Sequence, residues 1–171
     1  MTEAYSIRQF VTDDIQQVVH INKECLPENY PDQFFLGLHY HAPKAFLIAE
    51  SDRKVVGYIM CRIERGISSF GRLPVKRGHI VSVAVLPTIR HQGIGTAIIK
   101  AGMDAMEDYG AAEFFLEVRK SNESAVSVYE SLGYEIRRVL RGYYRDGEDA
   151  YLMVAKAKSA AKDETNDEES N

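Results

Sequence analysis

The residues whose types and spacing suggest chemistry most strongly lie in RHQGIGT, residues 90–96. This stretch follows the apolar run HIVSVAVLP and leads into a segment with the apolar spacing of a helix. A strand that passes directly into a helix places unpaired backbone N–H groups, and the positive end of the helix dipole, at the turn. Gly93 and Gly95 allow the backbone to approach a ligand, and Arg90 adds a charged donor. The stretch therefore predicts a phosphate-binding turn.

Two better-known phosphate motifs do not fit this turn. Gly95 is followed by Thr96 without the lysine of a Walker loop, and the glycine spacing differs from that of GxGxxG. A plain strand-to-helix turn with two glycines and no ligand is the alternative that the turn alone leaves open.

Metal and cysteine chemistry have little support in the sequence. His39 and His41 have the H-x-H spacing of metal ligands, but nothing nearby supplies a convincing further ligand. Cys25 and Cys61 cannot form a disulfide framework, and we expect both to be reduced and packed rather than nucleophilic. We therefore expect no metal site.

Length and composition indicate one globular domain with a single site. The chain has 171 residues, of which 45% are hydrophobic and 27% charged, and its net charge of -4 argues against a strongly basic nucleic-acid reader. No apolar run approaches the roughly 18 residues of a membrane span, and the N terminus lacks the pattern of a signal peptide. We expect a cytoplasmic protein without membrane contact.

The last residues of the chain differ in composition from the rest. From about Lys158 there is no aromatic or β-branched aliphatic residue, and the acids are Asp163, Glu164, Asp167, Glu168 and Glu169. Such a segment cannot bury its own backbone. We expect the domain to span residues 1–157 and residues 158–171 to form an acidic, disordered tail.

Hydrophobic periodicity and turn residues predict eleven elements that could position these groups. The predicted strands cover 5–11, 44–51, 54–65, 79–87, 113–119, 134–144 and 148–157. The predicted helices cover 12–26, 31–41, 93–110 and 122–133, and residues 66–78 are expected to form a mobile loop. The order β-α-α-β-β-β-α-β-α-β-β predicts an α/β fold with a mixed sheet.

Several motifs, taken in order, resemble the GNAT superfamily of N-acetyltransferases. They are R-x-x-G-x-G after an apolar strand, a strand containing LEV, and SNESAVSVYESLGY, and the resemblance spans residues 5–156. The segments LPENYP, GYIMCRIE, KRGHIVSVAVLP, LEVRKSNESAVSVYESLGY and RGYYRDGEDAYLM look most like archaeal protein N-terminal acetyltransferases, which are relatives of the NatA catalytic subunit. The resemblance implies a twisted, mixed and mostly antiparallel sheet of about seven strands with about four helices. This sheet would be splayed between its fourth and fifth strands, and acetyl-CoA would lie in the splay.

The same resemblance implies a set of residues that hold acetyl-CoA, the expected cosubstrate. They comprise the end of the fourth strand, the glycine turn and two positions near the following helix: Val83, Ala84, Val85, Arg90, His91, Gln92, Gly93, Ile94, Gly95, Thr96, Asn122 and Tyr129. For two of these residues, a purely structural role is the alternative. Asn122 is explained by helix capping alone, and Tyr129 by core packing.

An acetyl acceptor must be a neutral amine, and this requirement favours an α-amino group. Its reference pKa is about 7.7–8.0, against about 10.4 for lysine, so modest help from a base suffices. Candidates for that base are Glu28, His79 and Glu117, and the resemblance makes the Tyr129 hydroxyl a possible acid for the departing thiolate. The alternatives are an exposed turn acid for Glu28, a hydrogen-bonded core histidine for His79 and an arginine ion pair for Glu117.

The resemblance implies a protein N-alpha-acetyltransferase that works by direct attack in a ternary complex. The residues expected to contact the substrate are Leu26, Pro27, Glu28, Tyr30, Tyr143 and Tyr144. The alternatives are a lysine or small-amine acetyltransferase on the same fold, and a non-catalytic CoA-binding module. The expected partners are protein or peptide N termini. Ribosome association stays open, and the expected state is a monomer or weak dimer.

Overall fold

The computed structural model describes residues 4–160 and 162, and it confirms the expected order of elements. The helices are α1 (Ile15–Cys25), α2 (Asp32–His41), α3 (Ile94–Asp108) and α4 (Glu123–Ser131). The strands are β1 (Ser6–Gln9), β2 (Phe46–Ser51), β3 (Lys54–Ile67), β4 (Pro74–Val85), β5 (Glu113–Arg119), β6 (Glu135–Leu140) and β7 (Ala150–Lys156).

In the described part of the chain the strands form one seven-stranded sheet in the order β1-β2-β3-β4-β5-β7-β6. β2 pairs antiparallel with β1 and β3, and β7 pairs antiparallel with β5 and β6. β4 and β5 are parallel, with Arg77 opposite Glu113 and His79 opposite Phe115. The predicted α/β class with a mixed, mostly antiparallel sheet is confirmed. The splay between β4 and β5 stays a prediction.

The chain divides into two compact units. Unit 1 contains residues 1–63 and 80–108, and unit 2 contains residues 64–79 and 109–171. β3 and β4 therefore contribute residues to both units. Of the expected tail, residues 158–160 are helical, whereas residue 161 and residues 163–171 lie outside the described part. The single domain over residues 1–157 and the acidic tail stay predictions.

Apolar residues at helical and strand spacing build the interior of unit 1. α3 buries Ile94, Ile98 and Met106 on one face. Phe10 and Phe46 stack with ring centroids 4.1 Å apart, and both are almost completely buried. The helices and strands of unit 1 thus form a closely packed interior, and the loops that connect them are attached to it.

The predicted mobile loop over residues 66–78 is wrong. β3 continues to Ile67 and β4 begins at Pro74, so that only residues 68–73 connect them. The glycines and proline of this region indicate turns locally, but the buried carboxylate of Glu113 orders the connection. It accepts hydrogen bonds from the Ser68 hydroxyl (2.9 Å), the Ser69 backbone N–H (3.0 Å) and the Arg77 side chain (2.8 Å).

The predictions for β4 and β6 also extend too far at their C-terminal ends. β4 stops at Val85, because Pro87 begins a short 3-10 turn. β6 stops at Leu140, because the chain turns at Gly142, which has a φ of 60° in the left-handed region. The N–H of Gly142 donates to the Asp149 carboxylate at 2.8 Å instead of to a neighbouring strand.

Gly57 allows β3 to approach the end of β4 closely within unit 1. A Cβ atom at Gly57 would lie 3.0 Å from the Ala84 carbonyl oxygen and 3.2 Å from Val85 Cγ2. Beside this contact, the Leu86 N–H donates to the Val56 carbonyl at 2.8 Å. Any side chain at position 57 would push against the last residues of β4.

Gly57→Ala should therefore lower the free energy of unfolding by about 1–3 kcal/mol, the usual cost of overpacking a filled interior. Gly37→Ala is the matched control, since Gly37 lies exposed in α2 with nothing within 4 Å of an added Cβ. That change should raise the free energy of unfolding by about 0.5–1 kcal/mol. Chemical denaturation of both variants measures the difference, and equal stability would contradict the close approach.

Candidate active site

The glycine turn in unit 1 is built by β4 and α3. After the 3-10 turn Pro87–Ile89, His91 and Gly93 adopt left-handed backbone with φ of 62° and 82°. The first bond of the helix runs from the Ala97 N–H to the Gly93 carbonyl at 3.0 Å. The N–H groups that precede Ala97 in the first turn therefore have no carbonyl within the helix to bond. The turn offers donors and the positive helix end to an anion.

Arg90 braces this turn. Its Nε donates to the Val85 carbonyl at 2.8 Å, and the Cys25 thiol approaches the same oxygen at 3.7 Å. The Val85 carbonyl is thus satisfied within unit 1. Burial raises the pKa of the Cys25 thiol, an effect that Arg90 partly opposes, so Cys25 is a neutral thiol near pH 7. Burial also raises the pKa of Cys61, and both cysteines are free.

The other predicted cofactor residues of unit 1 lie on the same two elements. Ala84 and Val85 are buried and Val83 is half-buried at the end of β4. In the turn and the start of α3, His91 is exposed, Gln92, Gly95 and Thr96 are half-buried, and Ile94 is buried. Their roles as cofactor contacts stay predictions.

The predicted substrate residues of unit 1 form the connection between α1 and α2. The Leu26 N–H donates to the Asn22 carbonyl at 3.0 Å and ends α1. The Glu28 carbonyl accepts from Asn22 Nδ2 at 3.0 Å, and Tyr30 stacks on Phe34 with centroids 4.4 Å apart. Pro27 is exposed, whereas Leu26, Glu28 and Tyr30 are half-buried. The connection is anchored at both ends while leaving side-chain surface accessible.

In unit 2, two predicted base candidates form a hydrogen-bonded pair. His79 Nε2 lies 2.7 Å from Glu117 Oε2, and the two side chains are 16% and 18% exposed. The His79 ring stacks on Phe115 at 4.4 Å, with 4° between the ring planes. The parallel register explains the pairing, since His79 lies opposite Phe115 and Glu117 follows on the same face of β5. The partner of Glu117 is thus a histidine, where the alternative explanation expected an arginine.

This pair differs from the other ion pairs on the same face of β5. Glu113 is 2% exposed and bonds Arg77, while Arg119 bonds Glu148 at 2.8 Å. The arginine guanidinium only donates, whereas the ring nitrogens of histidine can both donate and accept a proton. Of these three pairs, only His79 and Glu117 can therefore accept and pass on a proton.

Asn122 and Tyr129 have structural roles in unit 2. Asn122 caps α4, where its Oδ1 accepts from the Ala125 N–H at 3.3 Å. Tyr129 is 7% exposed, and its ring lies edge-on to Tyr134 with centroids 5.7 Å apart. Capping and packing therefore account for both positions, and their contact with a cofactor stays a prediction.

Tyr143 and Tyr144 lie on the turn between β6 and β7. Tyr143 is 50% exposed, and its ring is 5.0 Å from that of Tyr144. Arg119 holds this turn, because its guanidinium lies 4.0 Å from the Tyr144 ring centre and bonds Asp146 and Glu148 at 2.8 Å each. The sequence prediction missed Arg119. The only signal was an arginine at a strand end and the acids of RDGE further on.

His39 and His41, which have the spacing of metal ligands in the sequence, contact a phenylalanine ring and a backbone carbonyl instead. His41 Nε2 lies 3.0 Å from the Ile63 carbonyl, and the His39 ring packs edge-on against Phe10 at 5.1 Å. Within residues 4–160 and 162, no group of three or more His, Cys, Asp or Glu side chains could hold a metal ion. No helix of the described chain is long and apolar enough to cross a membrane.

Comparisons with known proteins place these features in one family. Residues 15–134 match the family model described as Acetyltransferase (GNAT) family. The N-alpha-acetyltransferase of Sulfurisphaera tokodaii is 51% identical over 154 residues, which cover 88% of this chain and 92% of that protein. The Arabidopsis thaliana N-terminal acetyltransferase A complex catalytic subunit NAA10 is 39% identical, over 86% of this chain and 75% of that one. The crystal structure of Ard1 from Thermoplasma volcanium matches with a TM-score of 0.76 and 29% identity, over 90% of this chain and 98% of that one.

The turn that Arg119 holds should depend on its charge and on pH. Arg119→Gln should speed amide hydrogen exchange over residues 142–149 on the order of tenfold, because it removes two charge-assisted bonds. Arg137→Gln is the matched control, since Arg137 pairs with the exposed Glu135 on β6. Equal exchange in the two variants would contradict this role.

The stability of the same turn should depend on pH. A hydrogen bond from the Glu148 N–H, and then Arg119, lower the pKa of Asp146, while the Ser121 hydroxyl and then Arg119 lower that of Glu148. Since the pKa values are lowered on folding, the stabilisation is complete above the usual values of 3.8 and 4.5 and is lost as the pH falls below them. Acid should therefore lower the protection factors for amide exchange over residues 142–149, each taken relative to the intrinsic rate at that pH, less in Arg119→Gln than in the unchanged protein.

Proposed function

The chain belongs to the acetyltransferase (GNAT) family, and we propose that it is a protein N-alpha-acetyltransferase. It moves the acetyl group of acetyl-CoA to the α-amino group of protein N termini. The relative at 51% identity carries the name N-alpha-acetyltransferase, and the similarity covers nearly the whole of both chains. The single structural observation that supports this reaction most is the hydrogen-bonded pair of His79 and Glu117.

The acceptor amine explains why such a pair suits the reaction. An α-amino group, with a pKa of about 7.7–8.0, is partly neutral at physiological pH and needs only modest help to lose its proton. Glu117 holds the His79 ring in place at 2.7 Å and stabilises its charged form when the ring accepts a proton. A lysine acceptor, with a pKa of about 10.4, would demand a stronger base.

The cosubstrate is held by the turn of unit 1 in this proposal. The pyrophosphate oxygens would accept hydrogen bonds from the first-turn N–H groups between Gly93 and Thr96, at the positive end of α3. Arg90 keeps its Nε on the Val85 carbonyl, and its terminal nitrogens contribute positive charge. The acetyl and pantetheine groups lie along the backbone of Val83 and Val85.

The proposed transfer is a single direct step without an acyl-enzyme. The neutral amine nitrogen attacks the acetyl carbonyl carbon, the new C–N bond forms, and the C–S bond to CoA breaks. The amine proton passes to His79 and Glu117, directly or through an ordered water, while the Tyr129 hydroxyl protonates the departing thiolate. A thiol nucleophile is not required, which agrees with the neutral state of Cys25.

The substrate residues divide between the two units. Glu28, with Leu26, Pro27 and Tyr30 around it, contacts or orients the first residues of the peptide. In unit 2, Tyr143 and Tyr144 offer an apolar ring and a polar hydroxyl for contact with a peptide. We propose a cytoplasmic location, where newly made N termini occur. Ribosome association and a monomer or weak dimer stay predictions.

A mixed peptide library tests this proposal. Peptides that begin with Ser, Ala, Thr, Met-Glu or Met-Leu, each with one internal lysine, are incubated with acetyl-CoA and the protein. Matched peptides with a blocked α-amine serve as controls. Fragment mass spectrometry should locate the acetyl group on the α-amine, and the blocked peptides should stay unchanged.

Two other outcomes would overturn the proposal. Acetylation of the internal lysine alone would indicate a lysine acetyltransferase. No product from any peptide, together with tight acetyl-CoA binding, would indicate a non-catalytic CoA-binding module.

A further inference from the structure

A chain of buried polar side chains crosses unit 1 beneath the connection between α1 and α2. Asn22 Nδ2 donates to the Tyr58 hydroxyl on β3 at 3.1 Å and to the Glu28 carbonyl at 3.0 Å. The Tyr58 hydroxyl lies 2.7 Å from Ser82 Oγ on β4. Asn22 and Tyr58 are completely buried and Ser82 is 7% exposed. The chain thus connects β4, β3 and α1 to the backbone of Glu28.

The contacts fix the orientation of the Asn22 amide. Both N–H groups of Nδ2 are used, one for Tyr58 and one for Glu28. If the amide were turned around, its oxygen would face the Glu28 carbonyl oxygen, and two acceptors cannot bond each other. In this orientation Asn22 Oδ1 is buried without a hydrogen-bond partner among the described residues.

The Tyr58 hydroxyl links Asn22 to β4 through its hydrogen bond with Ser82. Burial raises its pKa to about 12, so the hydroxyl keeps its proton. Because the oxygen already accepts from Asn22, the proton can point towards Ser82. Ser82 is followed directly by Val83, where the predicted cofactor backbone begins.

Asn22 also holds the connection through its backbone. Its carbonyl accepts from the Leu26 N–H at 3.0 Å and from Asn29 Nδ2 at 3.3 Å. Asn29 Nδ2 in turn donates to the Leu26 carbonyl at 2.8 Å. Together with the bond to Glu28, this one residue makes contacts with three positions of the connection.

Stability alone does not explain a polar residue at this place. Burial of an amide is unfavourable unless every polar atom has a partner, and Oδ1 has none among the described residues. An apolar side chain of similar volume would avoid that cost. What an apolar side chain cannot do is fix the Glu28 backbone relative to β3 and β4.

We propose that Asn22 is a positioning residue for the peptide substrate, which it serves by holding the Glu28 segment in register with β4 through Tyr58 and Ser82. The inference rests on the proposed function, since it takes residues 26–30 as the part of unit 1 that meets the peptide. Asn22 does not touch the reacting atoms. Its loss should affect peptide binding and leave cosubstrate binding intact.

The test compares KM values for the two substrates. Asn22→Leu should raise the KM for a peptide with a free α-amine about tenfold, while the KM for acetyl-CoA stays within about twofold. Tyr58→Phe, which removes only the hydroxyl, should change the peptide KM in the same direction by a smaller factor. Val18→Ala is the matched control. Val18 lies completely buried one turn earlier on α1 and its side chain can form no hydrogen bond, so its effect on both KM values should be equal and small.

Equal changes of both KM values in Asn22→Leu, or no change in either, would overturn the proposal. If Asn22→Leu does not fold, Tyr58→Phe decides by the same criterion. Amide hydrogen exchange over residues 26–30 supplies a readout that needs no turnover, and it should be faster in Asn22→Leu than in Val18→Ala. If the unchanged protein acetylates no α-amine, the proposed function fails. Exchange over residues 26–30 then still supports or overturns the positioning role.

Discussion

A charged side chain on the face of a packed sheet needs a partner, and unit 2 meets this requirement repeatedly along β5. Glu113 is almost completely buried and is satisfied by Arg77, Ser68 and Ser69. Leaving such a carboxylate without its partner costs about 3–5 kcal/mol, so the residues that surround it are tied to it. The ordered connection between β3 and β4 is a consequence of this one buried acid.

On that face of β5, the partner of each acid distinguishes the ion pairs that stabilise the fold from the pair that could take part in the reaction. Pairing with arginine makes Glu113 a permanent ion pair, and Arg119 uses its two acids to shape the turn that carries Tyr144. Glu117 instead has an imidazole partner, whose ring nitrogens can both donate and accept a proton. The identity of the partner thus decides which carboxylate can take part in proton transfer. In unit 1 the buried polar groups are neutral, since Asn22 and Tyr58 form a buried hydrogen bond without any charge.

The sequence predicts the helices and strands more completely than it predicts which side chains pair with one another. The sequence predicts β5 at its observed bounds, because EFFLEVR is a short, mostly apolar run, and Asn122 and Gly93 lie at the cap and turn that their residue types favour. The pairing of His79 with Glu117 depends on the parallel register of β4 and β5, across 38 residues of chain. No local pattern encodes such a register. Residues 66–78 carry the glycines and proline of a loop, whereas Glu113, the acid that orders their connection, lies far along the chain.

The most direct measurement of the proton route is the pH dependence of kcat/KM for one peptide with a free α-amine, in the unchanged protein and in Glu117→Gln. Titration of the peptide amine cancels in the ratio of the two values, so only groups of the protein contribute to it. We predict a ratio that varies with pH and reaches about 10²–10⁴, the usual contribution of a positioned base. Glu123→Gln, an exposed acid in the first turn of α4, should give a ratio near one. A ratio near one at every pH for Glu117→Gln would contradict the role of the His79 and Glu117 pair.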